Sequence, residues 1–369
     1  MAIYDLSGRL TLGFDEDDAA VARLLAAQMD PLQPRPAPAE PADVVLEPAL
    51  ARGAPLVDVQ NAARDGMVTA SDGDRLVVLA GGLRCAVADP LHERPIRFSY
   101  ERGFPLRRIY APLVRPSLQL GLHAHEAVAV HSAAVELDGR AVIVAGWSES
   151  GKTETALALA ETGARFLSDK WTILGADGEA SMFPINVGVR RWVLPHLPTL
   201  AAALPSRARV QLTMAGLAAA VSRPVRERRS RVGALAGRAL ALADRAALTP
   251  SQLRAAYAQD DDPARRVPLG TTALLTTVPG SEVTCEPADP AWAAARLARS
   301  AAYERRELFG VLERRRYAFP LAAGGSLERA VAEETRLLEA ALARGRTYEV
   351  RAPFPVDPRT VAAAITRSL

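Results

Sequence analysis

Lysine is almost missing from this chain. Among 369 residues and 45 basic side chains, only Lys152 and Lys170 are lysines, and the rest are arginine. Arginine serves wherever a generic surface cation is needed, so each lysine asks for a specific reason. A compact ammonium and a broad planar guanidinium differ most in a crowded phosphate site. Cysteine is scarce too. Cys85 and Cys285 lie far apart with no histidine at ligand spacing, which excludes a disulfide framework and a structural zinc site and leads us to expect a reducing, cytoplasmic setting. No apolar run reaches the roughly 18 residues of a membrane span, and the opening MAIYDLSGRL lacks a signal-peptide pattern; no membrane partner is expected. Charge of one sign is also lacking. The 45 basic and 42 acidic residues leave a net charge of only +3 and are interleaved, so no long footprint for nucleic acid is expected.

What is there is ordinary globular material: 49% hydrophobic and 24% charged residues, at a length that favours two or three domains. The N-terminal third reads as a small accessory module, 1–117. It has a strand over Arg9–Phe14, a helix over Asp17–Gln28, a stiff proline-rich loop 31–41, and a hairpin over Arg75–Val87 turning at Gly81 and Gly82. From 118 the pattern changes. Ala127–Leu137 is apolar and β-leaning, Asp138-Gly139-Arg140 turns the chain, and Ala141–Ala145 reads as a buried strand. Thr153–Thr162 is helical with Gly163 after its end. Short strands follow over Arg165–Ser168 and Trp171–Leu174, and a longer one over Val267–Val278. The core is taken as 118–320. The remainder, 321–369, with a helix over Leu327–Arg344, a β-leaning Thr347–Phe354 and a last helix from Asp357-Pro358-Arg359, is read as an extension packing on it. The expected class is α/β, or α+β over the whole chain.

One segment carries chemistry. Gly146, Trp147, Ser148, Glu149, Ser150, Gly151, Lys152 and Thr153 fit G-x-x-x-x-G-K-[ST] at every fixed position. Glycines let backbone N–H groups approach phosphate oxygens, and the following helix turns its positive end on the same anion. Lys152 can reach the β- and γ-phosphates, and the Thr153 hydroxyl can hold magnesium. The expected ligands are therefore ATP and Mg2+. Asp169 ends a short apolar strand where an acid could act on a transferring phosphoryl group.

The surroundings resemble the HPr serine kinase/phosphorylase family over about Val130 to Leu174. His131 stands 21 residues before Lys152 and Asp169 stands 17 residues after it, and the helix opens Gly-Lys-Thr-Glu-Thr-Ala, as in that family. The resemblance implies an HPr-kinase/PEP-carboxykinase-like core. It implies that Asp169 takes the proton from an acceptor hydroxyl, that His131 packs beside Asp169 and the phosphate, and that Glu154 stands near the magnesium with Thr153 and Asp169. Homologues of this type also tailor peptides, so HPr itself need not be the substrate. Lys170 departs from the family, which has a second aspartate there. A cation at that place would lower the pKa of Asp169, could hold a phosphate or an acidic acceptor, and puts the reverse phosphorolytic reaction in doubt.

Other residues weigh less. His123 and His125 read as one face of a strand, solvated for want of a third ligand. The basic run Arg223–Arg231 reads equally as a dock for an acidic substrate or for the transferring phosphate and as a solvated loop. Arg190 and Arg238 are alternatives for the arginine that steadies a transition state, and Tyr303–Tyr317 reads as an exposed helix face. The leading expectation is an ATP- and magnesium-dependent kinase acting on a hydroxyl, seryl before others, of a peptide or protein. Alternatives are a kinase of a serine-like small molecule, and a nucleotide-driven ATPase or switch. Assembly into a homo-oligomer stays open.

Overall fold

Alternating apolar residues build the first sheet. In the computed structural model, which describes residues 1–50, 57–60, 68–72, 75–226, 244–318 and 326–369, nine strands make it: β1 (Ala2–Leu6), β2 (Leu10–Phe14), β3 (Arg35–Pro36), β4 (Val44–Glu47), β5 (Val57–Gln60), β6 (Val68–Asp72), β7 (Arg75–Ala80), β8 (Leu83–Val87) and β9 (Ile96–Tyr100). Their order is β3-β1-β2-β4-β9-β8-β7-β6-β5. The expected hairpin is β7–β8, with Ala80 opposite Leu83. Its two turn residues, Gly81 and Gly82, have φ of +60° and +77°, the left-handed pair that a two-residue hairpin turn requires. The proline-rich stretch is more than a loop: Arg35 and Pro36 pair with β1 at the sheet edge, where a residue without an N–H is tolerated. The helix Ala19–Gln28 is capped by the Asp18 carboxylate, which accepts from the Ala20 and Val21 N–H groups.

The second sheet contains β10 (Ala127–Val130), β11 (Ser132–Leu137), β12 (Arg140–Gly146), β13 (Arg165–Ser168), β14 (Thr172–Gly175), β15 (Glu179–Met182), β18 (Val267–Thr277), β19 (Thr284–Pro287) and β20 (Arg346–Ala352). Two further strands, β16 (Val187–Arg190) and β17 (Arg245–Leu248), pair apart from it. The order β10-β14-β15-β18-β12-β11-β13 is extended at β18 by β20 and then β19. The stretch Ala127–Leu137 is thus two strands. Its halves lie five places apart in the order, with His131 at the crossing. The sheet curls back, so that Ser132 on β11 donates to the Thr172 hydroxyl on β14 at 2.9 Å. Residues 346–352 belong to this sheet, since β20 runs parallel to β18 from Thr271/Arg346 to Thr277/Ala352.

Strand β12 is central, parallel to β18 on one side and antiparallel to β11 on the other. Helices cover both faces. Val142, Val144 and Val350 pack with Ala156, Leu159, Val361 and Ile365 of helices Lys152–Glu161 and Pro358–Ser368. Ile143, Ala145 and Leu274 pack with Leu297 and Leu338 of helices Pro290–Glu304 and Leu327–Leu342. The protein is a mixed α/β structure. A third apolar cluster joins the first sheet to the second: Phe98, Tyr110 and Leu118 share it with Ala129, Trp171 and Ile173. Among the described residues no helix is long and apolar enough to cross a membrane.

Candidate functional site

Strand direction brings the motif residues to one edge. β12 ends at Gly146. β11 is antiparallel to it and begins opposite, with Ser132 across from Ala145. β13 is antiparallel to β11 and therefore runs with β12, with Ser168 across from Ala134. His131, Gly146 and Asp169 thus leave the sheet on the same side, although they are 38 residues apart at the extremes.

The loop from β12 to helix Lys152–Glu161 needs its glycines. A Cβ on Gly146, whose φ is +145°, would lie 2.7 Å from the Leu275 carbonyl and 2.8 Å from Ser150 Oγ. Gly151 adopts φ +93° against the Phe354 ring, and between them Glu149 takes φ +61°. Left-handed backbone at such positions is what a loop needs if its N–H groups are to converge on one anion. Two further observations mark the cradle as polar and unfilled by the chain. Gly151 gives the ten-residue helix no side-chain cap, and buried Ser150 Oγ has no hydrogen-bond partner. Buried Lys152 crosses the loop and donates to the carbonyls of Trp147 at 2.7 Å and Gly146 at 3.2 Å. Burial lowers its pKa to about 8, opposed by the charges of Asp169, Glu304 and Glu154.

Asp169 is 3% exposed. Its Oδ1 accepts from the Thr153 hydroxyl at 2.7 Å, which ties the end of β13 to the first turn of the Gly-rich-loop helix. Burial pushes the Asp169 carboxyl up, while the Thr153 hydroxyl and the Lys170 backbone N–H pull it down; burial prevails. The sequence expectation, a pKa lowered by Lys170, is therefore reversed. Lys170 sits in the left-handed region at φ +62°, and the Trp171 N–H closes the turn on the Asp169 carbonyl at 2.7 Å. Its ammonium makes no hydrogen bond or ion pair among the described residues. Burial, then Arg115, lowers its pKa.

The Thr153–Asp169 pair suits magnesium, which takes few protein oxygens and keeps water or phosphate in its remaining positions. Glu154, one residue on, adds a charge felt at both Asp169 and Lys152. Among the described residues no group of three or more His, Cys, Asp or Glu could hold a metal, so no all-protein cage exists there.

His131 is buried, its Nδ1 lies 3.1 Å from Ser300 Oγ, and its ring stands 5.3 Å from that of Trp171. Burial, then Lys152, Lys170 and Arg305, push its pKa down to about 3. It is a neutral ring beside the site.

The sequence reading missed Arg305. Tyr303–Tyr317 is not one exposed face. Helix Pro290–Glu304 stops, Arg306–Ala318 begins, and Arg305 between them is 1% exposed. Its guanidinium donates to Glu334 at 2.7 Å, Gln119 at 2.9 Å and the Ala129 carbonyl at 3.2 Å, and lies 5.3 Å over the Trp171 ring. Leu308, Phe309, Val311 and Leu312 are buried as well. Their stripe was visible in Leu-Phe-Gly-Val-Leu, but the dense charge around it hid the pattern.

The remaining candidates are dispersed. His123 lies in a 3-10 turn, Leu122–His125, rather than a strand. It is not solvated: its Nε2 is buried without a partner and desolvation lowers its pKa to about 3. His125 meets Asp43 at 2.7 Å. Arg190 reaches the loop through an ion pair with Glu149 at 2.7 Å. Arg238 lies outside the described residues, and so does 227–231 of the basic run Arg223–Arg231, whose earlier backbone is helical to Arg226. No protein-family model matches the chain, and no curated protein matches it.

Proposed function

We propose that the protein is a kinase that transfers the γ-phosphoryl group of ATP to a hydroxyl, seryl before others, on a peptide or protein. The observation that carries this reading is the 2.7 Å hydrogen bond from Thr153 to Asp169. It sets a buried carboxylate beside the lysine and hydroxyl that a phosphate-binding loop presents. The resemblance to HPr kinases supports the same roles.

In this reading the loop N–H groups and the helix N-terminus hold the β- and γ-phosphates. Lys152 exchanges its bonds to the Gly146 and Trp147 carbonyls for phosphate oxygens. Thr153, Glu154 and Asp169 would hold magnesium, which when bound neutralises phosphate charge and orients the γ-group. The acceptor oxygen attacks the γ-phosphorus as the bond to the β–γ bridging oxygen breaks, and ADP leaves with that electron pair. The hydroxyl proton passes to the Asp169 carboxylate, whose pKa, raised by burial, makes it a better base than an exposed aspartate. His131, neutral, keeps the ring side of the site apolar. Lys170, turned by its left-handed backbone at the end of Asp169, offers a cation to the incoming acceptor or to the transferring group. Positioning and charge neutralisation supply most of the rate in such transfers.

The test is transfer of labelled γ-phosphate to serine-bearing peptides, proteins and free serine. Hydrolysis of ATP at the same rate with and without every acceptor, and no labelled product, would replace the kinase by an ATPase. Against that alternative, β18 ends in Thr276 and Thr277, with no acid where a hydrolytic switch usually carries one.

A further inference from the structure

Two large aromatic side chains stand in water at the edge of this site. Trp147, the first residue after Gly146, is 52% exposed, and Tyr303 is 46% exposed. Their rings lean on one another as a tilted pair, with centroids 4.9 Å apart and planes inclined by 37°, and the Arg306 guanidinium lies 4.4 Å over the Tyr303 ring. Among the described residues only seven large hydrophobic side chains are exposed, and these two are in mutual contact. Lone exposed aromatics are ordinary, whereas two in mutual contact form a continuous exposed apolar patch, a surface that a ligand can use.

Its location selects the occupant. The Lys152 ammonium, which in the reading above serves the β- and γ-phosphates, is bonded to the Trp147 carbonyl, so Trp147 flanks the γ end of the cradle. Tyr303 lies in the last turn of helix Pro290–Glu304. One turn earlier Ser300 holds His131, and the next residue, Glu304, is felt electrostatically by both Lys152 and Lys170. The stack therefore borders the side from which an acceptor approaches Asp169. A free amino acid seated at Asp169 has no neighbouring residue to lay on the two rings. A chain passing through the site would lay neighbouring side chains on them.

We infer that the Trp147–Tyr303 stack recognises a polypeptide acceptor by packing an aromatic side chain that lies near the target hydroxyl in its sequence. This rests on the kinase reading and adds to it a preference for an aromatic residue beside the target hydroxyl. Tyr303 is a specificity residue: it contacts the acceptor outside the reacting atoms.

The experiment uses the full chain, labelled ATP and degenerate peptide pools with a central serine, each pool fixing one flanking position as Trp, Tyr, Phe or Ala. Burying one aromatic ring against the stack should make the aromatic pools at one position better than the alanine pool by about 10-fold. Tyr303→Ala should abolish that preference, Tyr303→Phe should keep it, and nucleotide affinity should stay within about twofold in both. Circular dichroism checks that the variants fold. No positional preference, or one that survives Tyr303→Ala, overturns the inference. So does a Tyr303→Ala variant that loses ATP affinity but keeps its acceptor selectivity, which would give the stack to the nucleobase. Labelling of free serine with no peptide labelled overturns it and leaves a kinase of a small-molecule acceptor. ATP hydrolysis with no acceptor labelled ends both.

Discussion

Thr153 and Asp169, sixteen residues apart, are joined by a 2.7 Å hydrogen bond from hydroxyl to carboxylate. One residue starts a helix and the other ends a strand, so the bond fixes the acid to the Gly-rich loop. If Asp169 is the base, Asp169→Asn keeps shape and hydrogen-bonding capacity but cannot take a proton. Transfer is expected to fall by on the order of 10²-fold or more with nucleotide affinity nearly intact. Because burial raises the Asp169 pKa, the fold disfavours its charge, and the same variant should be more stable than the parent at neutral pH. Equilibrium urea unfolding and single-turnover transfer check the two halves. Loss of nucleotide binding instead would leave Asp169 a magnesium ligand only and not the base.

Lys152 predicts a pH signature in binding. Its pKa in the free protein is lowered to about 8, and bound phosphate raises it by direct attraction. Below pH 8 the ammonium is present before and after binding, so affinity is flat. Above pH 8 the free protein loses the proton that the complex keeps. Nucleotide affinity should then fall by up to about tenfold per pH unit, with proton uptake on binding. Calorimetry between pH 7 and 9.5 in two buffers of different ionisation enthalpy reads both effects. Lys152→Ala should remove the uptake and most of the affinity. Affinity that rises toward pH 9.5, or variant turnover equal to the parent, would sink the phosphate role.

The sequence made the loop, its flanking strand and helix, and Asp169 legible, because glycine spacing and apolar runs act locally. It could not show that Ala127–Leu137 divides at His131, since both halves are equally apolar and only the curl of the sheet separates them. Arg305 was hidden for another reason. Its partners Gln119, Ala129 and Glu334 are all distant in the chain, and a buried arginine looks like any other in a chain with so many. The environment of Asp169 was misjudged likewise: proximity of Lys170 in sequence suggested a lowered pKa, whereas burial sets the sign.

Arg305 and Glu334 form an ion pair with both side chains almost fully buried, at 1% and 2% exposure. Arg305→Ala leaves a buried carboxylate without its partner and removes packing on Trp171, so it should destabilise by roughly 3–5 kcal/mol. Replacing both partners together, Arg305→Met with Glu334→Leu, should recover most of that loss. Urea denaturation of the single and double variants separates the pair from its surroundings. A single variant within 1 kcal/mol (about fivefold in the folding equilibrium) of the parent would mean that the pair does not hold the helices as described.

The last prediction concerns which groups titrate in the reaction. A histidine beside a catalytic acid ordinarily suggests a limb near pH 6.5 in the rate profile. Here His131 is pushed down to about 3 by burial and by the cations Lys152, Lys170 and Arg305. It stays neutral at every pH where the fold is expected to survive, so its protonation should not appear in the profile. The acidic limb should belong to Asp169, whose carboxyl is raised by burial, with activity lost as pH falls through its pKa and the base becomes protonated. The alkaline limb should follow Lys152 near pH 8 in kcat/KM, which reports the free enzyme. His131→Gln keeps a neutral polar side chain near Ser300. It should lower kcat modestly while leaving both limbs in place. If His131→Gln abolishes the acidic limb, or if that limb sits near 6.5 in the parent and vanishes in the variant, then His131 carries a proton in the reaction, and its neutral, packing role is wrong.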